Sequence, residues 1–230
     1  MKKGFTLAEV LITLTIVGTI AVLTIPQVMQ DYKYKLYTTQ LKKVYSEISN
    51  GIELAKNTEN TDDFFETASF NATSNAQHGA QYFLTNYIKN INDYSCGEDA
   101  KCYTAQIRNG ANYTPVELSY ESLNTSTPIS NGLSGQHCAQ TKTGATICAG
   151  FAGAGEDARL IFTVDVNGIN APNTSGRDVF ALFVDTQGII SDGGESEECG
   201  EESDFFDGTA AQYSVGCLKN IMDNDWRMEY

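Results

Sequence analysis

A single carboxylic acid, Glu9, lies in an otherwise uncharged stretch of 21 residues that runs from Phe5 to Ile25. A carboxylate near the centre of a membrane-spanning helix costs at least about 2.5 kcal/mol, so such an acid indicates a function and calls for a partner. A basic partner would arise if the peptide bond between Gly4 and Phe5 were cut, because the new terminal amine would lie about one helical turn from Glu9. The chemistry that this spacing suggests is proteolytic processing followed by a carboxylate–amine salt bridge.

The residues GFTLAE at positions 4–9 resemble the processing signature of type IV pilins and of the pseudopilins of type II secretion. The resemblance implies that a prepilin peptidase cleaves after Gly4 and methylates the new terminal Phe5. It also implies that Glu9 forms a salt bridge to the terminal amine as the filament assembles. The partners implied are prepilin peptidase, the inner membrane and other pilin or pseudopilin subunits in a homo- or hetero-filament.

Residues 1–4 are thus expected to be a prepilin leader, and residues 5–30 a hydrophobic transmembrane and assembly helix. The apolar run meets the roughly 20 residues that a helix needs to cross a hydrocarbon core. Lys2 and Lys3 precede it, so the positive-inside bias places the amino terminus in the cytoplasm and the chain after residue 30 outside. This predicts a single pass through a bacterial inner membrane, and later a place in a cell-surface filament.

The apolar run has three other interpretations. A secretory signal peptide has a shorter apolar region, about 7 to 15 residues, and a small-x-small cleavage site. A helix buried in a soluble enzyme should show a polar stripe, which this segment lacks. A plain single-pass anchor remains an alternative, but it leaves Glu9 unexplained.

Residues 31–56 predict an amphipathic continuation of the same helix. Apolar residues recur there at steps of three and four, which places them on one helical face: Tyr37, Leu41, Val44, Tyr45, Ile48 and Ile52. Pro26 lies inside the long helix and is expected to kink or locally break it, because proline removes an amide donor and crowds the preceding turn. The alternative is a boundary there between an anchor and a separate helix. Pilins commonly carry a proline at this distance from the cleaved end, so the resemblance extends to Pro26.

Residues 57–230 predict an exported globular domain of class α+β, in which a small antiparallel sheet packs on the long helix, as the pilin resemblance also implies. Apolar spacing from Ala80 to Ile91 predicts a second short helix that ends near residues 92–93. Alternation and apolar runs predict strands at Cys102–Ile107, Val116–Tyr120, Thr146–Ala149, Leu160–Val166 and Val179–Val184. The most loop-like segment is Asn124–Gly135.

Six cysteines in an exported chain predict three disulfides, although six cysteines allow fifteen connectivities. Short separations need little chain ordering before closure, which favours local pairs: Cys96–Cys102, Cys138–Cys148 and Cys199–Cys217. The last pair resembles the disulfide-bounded region near the carboxyl end of many pilins. A zinc site is the competing interpretation, but the chain has no Cys-x-x-Cys and only two histidines.

A run of oxygen-bearing and turn-forming residues separates the last two predicted strands. Its candidate cation ligands are Asp165, Asn167 and Asp178, because calcium prefers carboxylate, amide and carbonyl oxygens. The spacing is not that of an EF-hand. The alternative is a strand-connecting turn in which Asp and Asn side chains satisfy their own backbone. Similar turns occur in pilin-like proteins and some pseudopilins bind calcium, so the resemblance admits a calcium site while requiring no cofactor.

The charge of the chain is distributed unevenly. Residues 1–56 carry seven lysines and four acids, a net charge of +3, whereas the rest carries 8 basic and 25 acidic residues, a net charge of −17. Binding to nucleic acid by phosphate neutralisation needs a basic face, so no nucleic-acid partner is expected. The chain also lacks a phosphate-binding loop, a Gly-x-Ser-x-Gly elbow and a His-Glu-x-x-His motif, so no enzyme is expected.

The function that these observations predict is that of a pilin-like structural subunit of a type IV pilus or secretion pseudopilus. One alternative is a minor pilin or adhesin whose exported domain is a binding module. Copy number in sheared filaments separates these two roles. A membrane-tethered hydrolase is a further and weaker alternative, because paired carboxylates are common in any acidic chain.

Overall fold

The computed structural model describes residues 4–89, 91–93, 106–108, 115–117, 134–153, 155–168, 170, 174, 176–192, 199 and 217–229. Its first element is helix α1, Leu7–Glu59, which is 53 residues long. The chain divides into two compact units, Met1–Leu36 and Tyr37–Tyr230. The second compact unit therefore begins within α1, at Tyr37.

The first unit consists of the apolar part of α1 and the residues before it. By length and composition, α1 is the one helix in the described part of the chain that could cross a membrane, and the apolar window that qualifies it has no buried residue. Large apolar side chains are exposed along it, for example Leu14 at 64% and Val22 at 73%. Such a surface needs lipid or protein around it.

In the second unit, α1 is amphipathic, as predicted. Tyr37, Leu41, Val44, Ile48 and Ile52 are at most 6% exposed. Gly51 on the same face lies against helix α2, Gly79–Tyr87, since a Cβ at Gly51 would be 3.0 Å from Phe83 Cζ. The small residue lets the two helices approach closely.

A six-stranded antiparallel sheet forms the body of the second unit. Its strands lie in the order β1-β4-β5-β6-β7-β8, with bounds β1 Ile91–Asp93, β4 Ser134–Thr141, β5 Thr146–Ala152, β6 Arg159–Asp165, β7 Val179–Val184 and β8 Ile190–Ser191. A separate antiparallel pair is formed by β2, Gln106–Arg108, and β3, Pro115–Glu117. The expected α+β class, with a long apolar helix followed by a small antiparallel sheet, is confirmed.

Aromatic rings fill the core between α2 and the sheet. Phe83 of α2 packs edge-on against Phe162 of β6 and against Phe64, with ring centroids 5.4 and 6.0 Å apart. All three side chains are 0% exposed. Every residue of β7 is also buried, which explains why this strand is a continuous apolar run in the sequence.

The predicted strands in the second half of the chain are confirmed, with β5, β6 and β7 close to the expected bounds. The predicted end of the second helix is wrong, because Ile88 adopts an extended conformation at φ −98° and ψ 110°. Ile91 then pairs with Thr141 in β1. Both isoleucines are buried, at 2% and 6% exposure. The extended conformation therefore buries the same apolar residues that a longer helix would have buried.

Strands β4 and β8 and one helix have no counterpart in the sequence predictions. Strand β4 begins at Ser134, inside the segment expected to be a loop, and its sequence SGQHCAQT has too few apolar residues to show alternation. Helix α3, Cys217–Asp223, lies near the carboxyl end. Most of the predicted strands at Cys102–Ile107 and Val116–Tyr120, and most of the predicted loop Asn124–Gly135, lie outside the described residues.

Candidate functional site

Glu9 has a local partner at the start of α1. The Thr6 backbone N–H and the Thr6 hydroxyl both donate to Glu9 Oε2, each at 2.8 Å. In return the Glu9 backbone N–H donates to Thr6 Oγ1 at 3.3 Å. This is a capping box, with Thr6 as N-cap and Glu9 at the third helical position. This capping box is not among the sequence predictions, although Thr-x-x-Glu at residues 6–9 is its signature.

Gly4 and Phe5 precede the helix and are not packed within the described part of the chain. A Cβ added at Gly4 would have no heavy atom within 4 Å, and the backbone there has no positive φ. Phe5 is 89% exposed. Both residues are therefore open to contact from outside the chain.

The apolar part of α1 carries a shallow groove lined by Leu14, Thr15, Gly18, Thr19, Val22 and Leu23. A Cβ at Gly18 would meet nothing within 4 Å. The hydroxyls of Thr15 and Thr19 donate to the carbonyls of Leu11 and Ile16, at 2.8 and 2.9 Å. The two threonines are therefore small residues whose hydroxyls are already hydrogen-bonded within the helix. The groove is suited to close approach by another helix.

Pro26 lies inside α1, and the helix continues on both sides of it. The alternative of two separate helices with a boundary at Pro26 is therefore not what the structure shows. A kink at this residue stays a prediction.

The second candidate site joins the end of β6 to the start of β7, and it brings together the three residues proposed as cation ligands. Asp165 and Asp178 are both 0% exposed. Asn167 links them, since its backbone N–H donates to Asp165 Oδ1 at 3.2 Å and its Nδ2 donates to Asp178 Oδ2 at 3.1 Å. The same Nδ2 lies 3.3 Å from the hydroxyl of Tyr37 on α1.

The two aspartates differ in how their oxygens are satisfied. Asp178 accepts from the Thr174 backbone N–H at Oδ1, at 2.6 Å, and from Asn167 at Oδ2. Asp165 Oδ2 is buried and has no hydrogen-bond partner. A buried carboxylate oxygen in this state needs either a proton or a cation, because an uncompensated buried charge is very costly.

Burial and, to a smaller extent, the neighbouring charge of Asp178 raise the pKa of Asp165 to about 9, against the opposing effect of the backbone N–H groups of Asn167 and Gly168. Asp165 therefore carries a proton at neutral pH when no cation is present. Within the described residues no group of three or more His, Cys, Asp or Glu side chains could hold a metal ion. A cation here would have to take its remaining ligands from Asn167 and from carbonyl groups.

A disulfide packs against the loop that carries Asp178. Cys199 and Cys217 are bonded, and a Cβ at Gly176 would lie 2.8 and 2.6 Å from their sulfur atoms. Gly176 also has a φ of +74°, so glycine is required there on both counts. The disulfide thereby holds the loop between β6 and β7 from the side of α3.

Both disulfides that fall within the described residues have the predicted partners. Cys138 and Cys148 face each other on β4 and β5 and are bonded. Cys199 and Cys217 form the other bond. The predicted bond between Cys96 and Cys102 lies outside the described residues.

Comparison with known protein families finds a match at the amino terminus. Residues 1–25 match the family model of the prokaryotic N-terminal methylation motif, which is the signature of type IV pilins and pseudopilins. No curated protein and no solved structure matches the chain. The match covers the expected processing site, Glu9 and most of the exposed apolar segment.

Proposed function

We propose that this chain, which carries the prokaryotic N-terminal methylation motif, is a structural subunit of a type IV pilus or of a secretion pseudopilus. Prepilin peptidase removes residues 1–4 and methylates the amine of Phe5. Other pilin or pseudopilin subunits are the partners in the filament. The observation that carries this proposal is the motif at residues 1–25, on an apolar helical segment that has one acid and no buried residue.

The parts of the chain have separate roles in this proposal. Residues 5–30 anchor the precursor in the inner membrane as a single pass, with the amino terminus in the cytoplasm, and later pack in the filament core. Residues 31–56 extend the helix into the exported domain, and residues 57–230 complete that domain outside. The globular unit from Tyr37 onward supports this division, because the helix face there is already covered by the chain's own core.

Glu9 sets the register of packing. In the single subunit it is held by Thr6, a neutral partner. In the filament, the Phe5 amine of a neighbour displaced along the axis replaces or joins Thr6, and a charged donor forms a stronger hydrogen bond than a neutral one. The groove at Gly18 lets the backbones approach closely enough for this contact. The apolar surface passes from lipid to neighbouring helices without exposure to water.

The experiment that tests this proposal replaces Glu9 by Val in cells that assemble the filament. We expect cleavage and membrane insertion to persist while incorporation into sheared filaments falls at least tenfold, because the amine loses its carboxylate. Thr13→Val is the matched control. It removes a hydroxyl that bonds only to its own helix, at Val10 O and 3.0 Å, and should assemble normally.

Mass spectrometry of the native amino terminus accompanies that experiment. The expected mature chain begins with methylated Phe5. An intact leader, a cut at another bond, or normal filament levels in Glu9→Val would each contradict the proposal.

A calcium ion is proposed for the site at Asp165, Asn167 and Asp178, and the buried unsatisfied Asp165 Oδ2 favours it. Calcium would supply the positive charge that lets both carboxylates ionise, and it is not required for the filament role. In this proposal the Asn167 amide turns its oxygen toward the ion. The cation would then tie the β6–β7 loop to both strands.

The calcium proposal predicts that 1 mM Ca²⁺ raises the unfolding temperature of the chelator-treated full-length protein at pH 7.5. A ligand at 100 times its Kd stabilises by about 2.7 kcal/mol, which is several degrees for a domain of this size. Asp165→Asn should abolish the increase, and Asp62→Asn, an exposed acid elsewhere, should keep it. The proposal would be contradicted if Ca²⁺ did not raise the unfolding temperature of the wild type, or if it raised that of Asp165→Asn.

A further inference from the structure

Four residues just beyond the apolar segment alternate aromatic and basic side chains: Tyr32, Lys33, Tyr34 and Lys35. They belong to the same unit as that segment and lie within α1. Tyr32 is 64% exposed, and both lysines are exposed. The Tyr34 hydroxyl accepts a hydrogen bond from Gln30 Nε2 at 2.7 Å. We call these four residues the collar.

The collar surrounds the helix instead of marking one face. Successive residues of an α-helix are about 100° apart, so four in a row point in four directions around the axis. A face that packs on protein is one-sided, as in the buried series Tyr37, Leu41, Val44 and Ile48 that follows. A ring of tyrosine and lysine is instead the pattern found where helices leave a membrane.

The distance along the helix also fits a membrane surface. Met29 is 51% exposed and is the last large apolar residue before the collar. Lys33 and Lys35 follow by about 6 and 9 Å of helix rise, and the headgroup zone is about 5 to 7 Å thick on each side of the hydrocarbon. Lysine stems extend along apolar surface and bring the ammonium back to the interface.

The charge of the segment points to an anionic ligand. Between Glu9 and Glu47 the chain has four lysines and a single acid, Asp31. Basic residues normally concentrate on the cytoplasmic side of a membrane helix. In the orientation of the proposed function, Lys33 and Lys35 lie on the opposite side, against this bias.

We propose that the collar binds anionic phospholipid headgroups at the extracytoplasmic surface of the membrane and sets the depth of the helix before assembly. The lysines pair with headgroup phosphates, and the tyrosine rings lie at the boundary of the acyl chains. This inference rests on the proposed function for the orientation of the helix. It adds a lipid contact that must be released when a subunit leaves the membrane.

The test titrates the purified full-length chain in neutral detergent micelles with phosphatidylglycerol or with phosphatidylcholine of the same acyl chains. Native mass spectrometry counts the bound lipids. We expect the K33Q/K35Q substitutions to raise the apparent Kd for phosphatidylglycerol roughly tenfold to thirtyfold. Each lysine accounts for about tenfold or less of this increase. Binding of phosphatidylcholine should not change.

K42Q/K43Q is the matched control, because it removes the same charge from exposed positions further along the chain, and it should bind phosphatidylglycerol as the wild type does. Equal binding of the two lipids by the wild type, normal binding by K33Q/K35Q, or equal losses in both variants would overturn the inference. If K33Q/K35Q bound lipid normally but cross-linked less to neighbouring subunits, the inference would also be overturned. That result would show that the collar contacts acidic groups of a second copy. An uncleaved amino terminus would count against the proposed function only, since the lipid titration does not depend on cleavage.

Discussion

At the residue scale, two carboxylates in apolar surroundings are accommodated in different ways. Thr6 caps Glu9 through neighbours in sequence, and a capping interaction of this kind contributes about 1 kcal/mol. That is less than the cost of at least about 2.5 kcal/mol for an acid near the centre of a membrane helix. A local partner therefore offsets part of the cost, and in our proposal the amine on a neighbouring subunit offsets the remainder.

Asp165 is accommodated by protonation, because its partner Asp178 has the wrong charge. Its pKa is raised to about 9, first by burial and then by Asp178. The folded state therefore holds a proton that the unfolded state releases near pH 4. Stability from this proton is fully present below about pH 4 and is lost as the pH rises toward 9.

We predict that the free energy of unfolding of the calcium-free protein falls between pH 5 and pH 8 by up to about 1.4 kcal/mol per pH unit from this group. Asp165→Asn keeps the shape of the neutral acid and should remove that decline. Urea denaturation of the wild type and variant at both pH values measures it, since the other acids cancel in the difference. Parallel declines in the two proteins would show that Asp165 is ionised in the folded chain.

At the scale of elements, α1 shows how one regular helix serves two environments. Apolar residues all round suit lipid or neighbouring helices in the first unit, and a one-sided apolar face suits a globular core in the second. Near its other end the chain packs against the second part of α1, since the Trp226 ring lies 5.5 Å from that of Tyr45 and 5.3 Å from Lys42 Nζ. The carboxyl end is thus packed on the helix, with α3 and its disulfide just before it.

The disulfide Cys199–Cys217 should therefore control the carboxyl end specifically. We predict that the C199S/C217S variant loses about 3 kcal/mol of stability, as expected for opening a loop of this length. It should also raise hydrogen exchange at residues 224–229 and change Trp226 fluorescence. C138S/C148S opens a shorter loop between paired strands and should lose similar stability without the change at Trp226. An unchanged Trp226 signal in C199S/C217S would contradict this assignment.

At the scale of the whole molecule, the first 56 residues are basic and the rest strongly acidic, with net charges of +3 and −17. In the proposed filament, mutual repulsion between acidic domains opposes assembly, so we expect the attraction to come from the apolar helices. The groove at Gly18 is lined partly by small residues, which suit close approach of helix backbones.

Gly18→Leu separates folding from assembly. Nothing lies within 4 Å of a Cβ at this residue, and leucine favours the helix over glycine by about 1 kcal/mol. We predict normal amounts of the membrane-inserted, disulfide-bonded subunit and at least a tenfold loss from sheared filaments. Thr24→Leu, outside the groove, is the control and should assemble. Filaments of Gly18→Leu at normal levels would show that the groove faces no neighbour.

The candidate processing site could be read from the sequence because its chemistry is local. Gly4, Phe5 and Glu9 are close along the chain, and their roles stay predictions that the family match supports. The two described disulfides were predicted for the same reason, since short separations favour closure. The capping box at Thr6 and Glu9 was equally local and was overlooked.

Only the tertiary structure decided which groups are buried together. Residues Asp165, Asn167 and Asp178 could be named as a set, but sequence alone did not distinguish a solvated turn from a buried acid pair. Strand β4 and the extended conformation of Ile91 likewise depend on pairing with distant segments. Interactions between adjacent residues are encoded in short patterns, whereas burial and strand pairing depend on which remote surfaces meet.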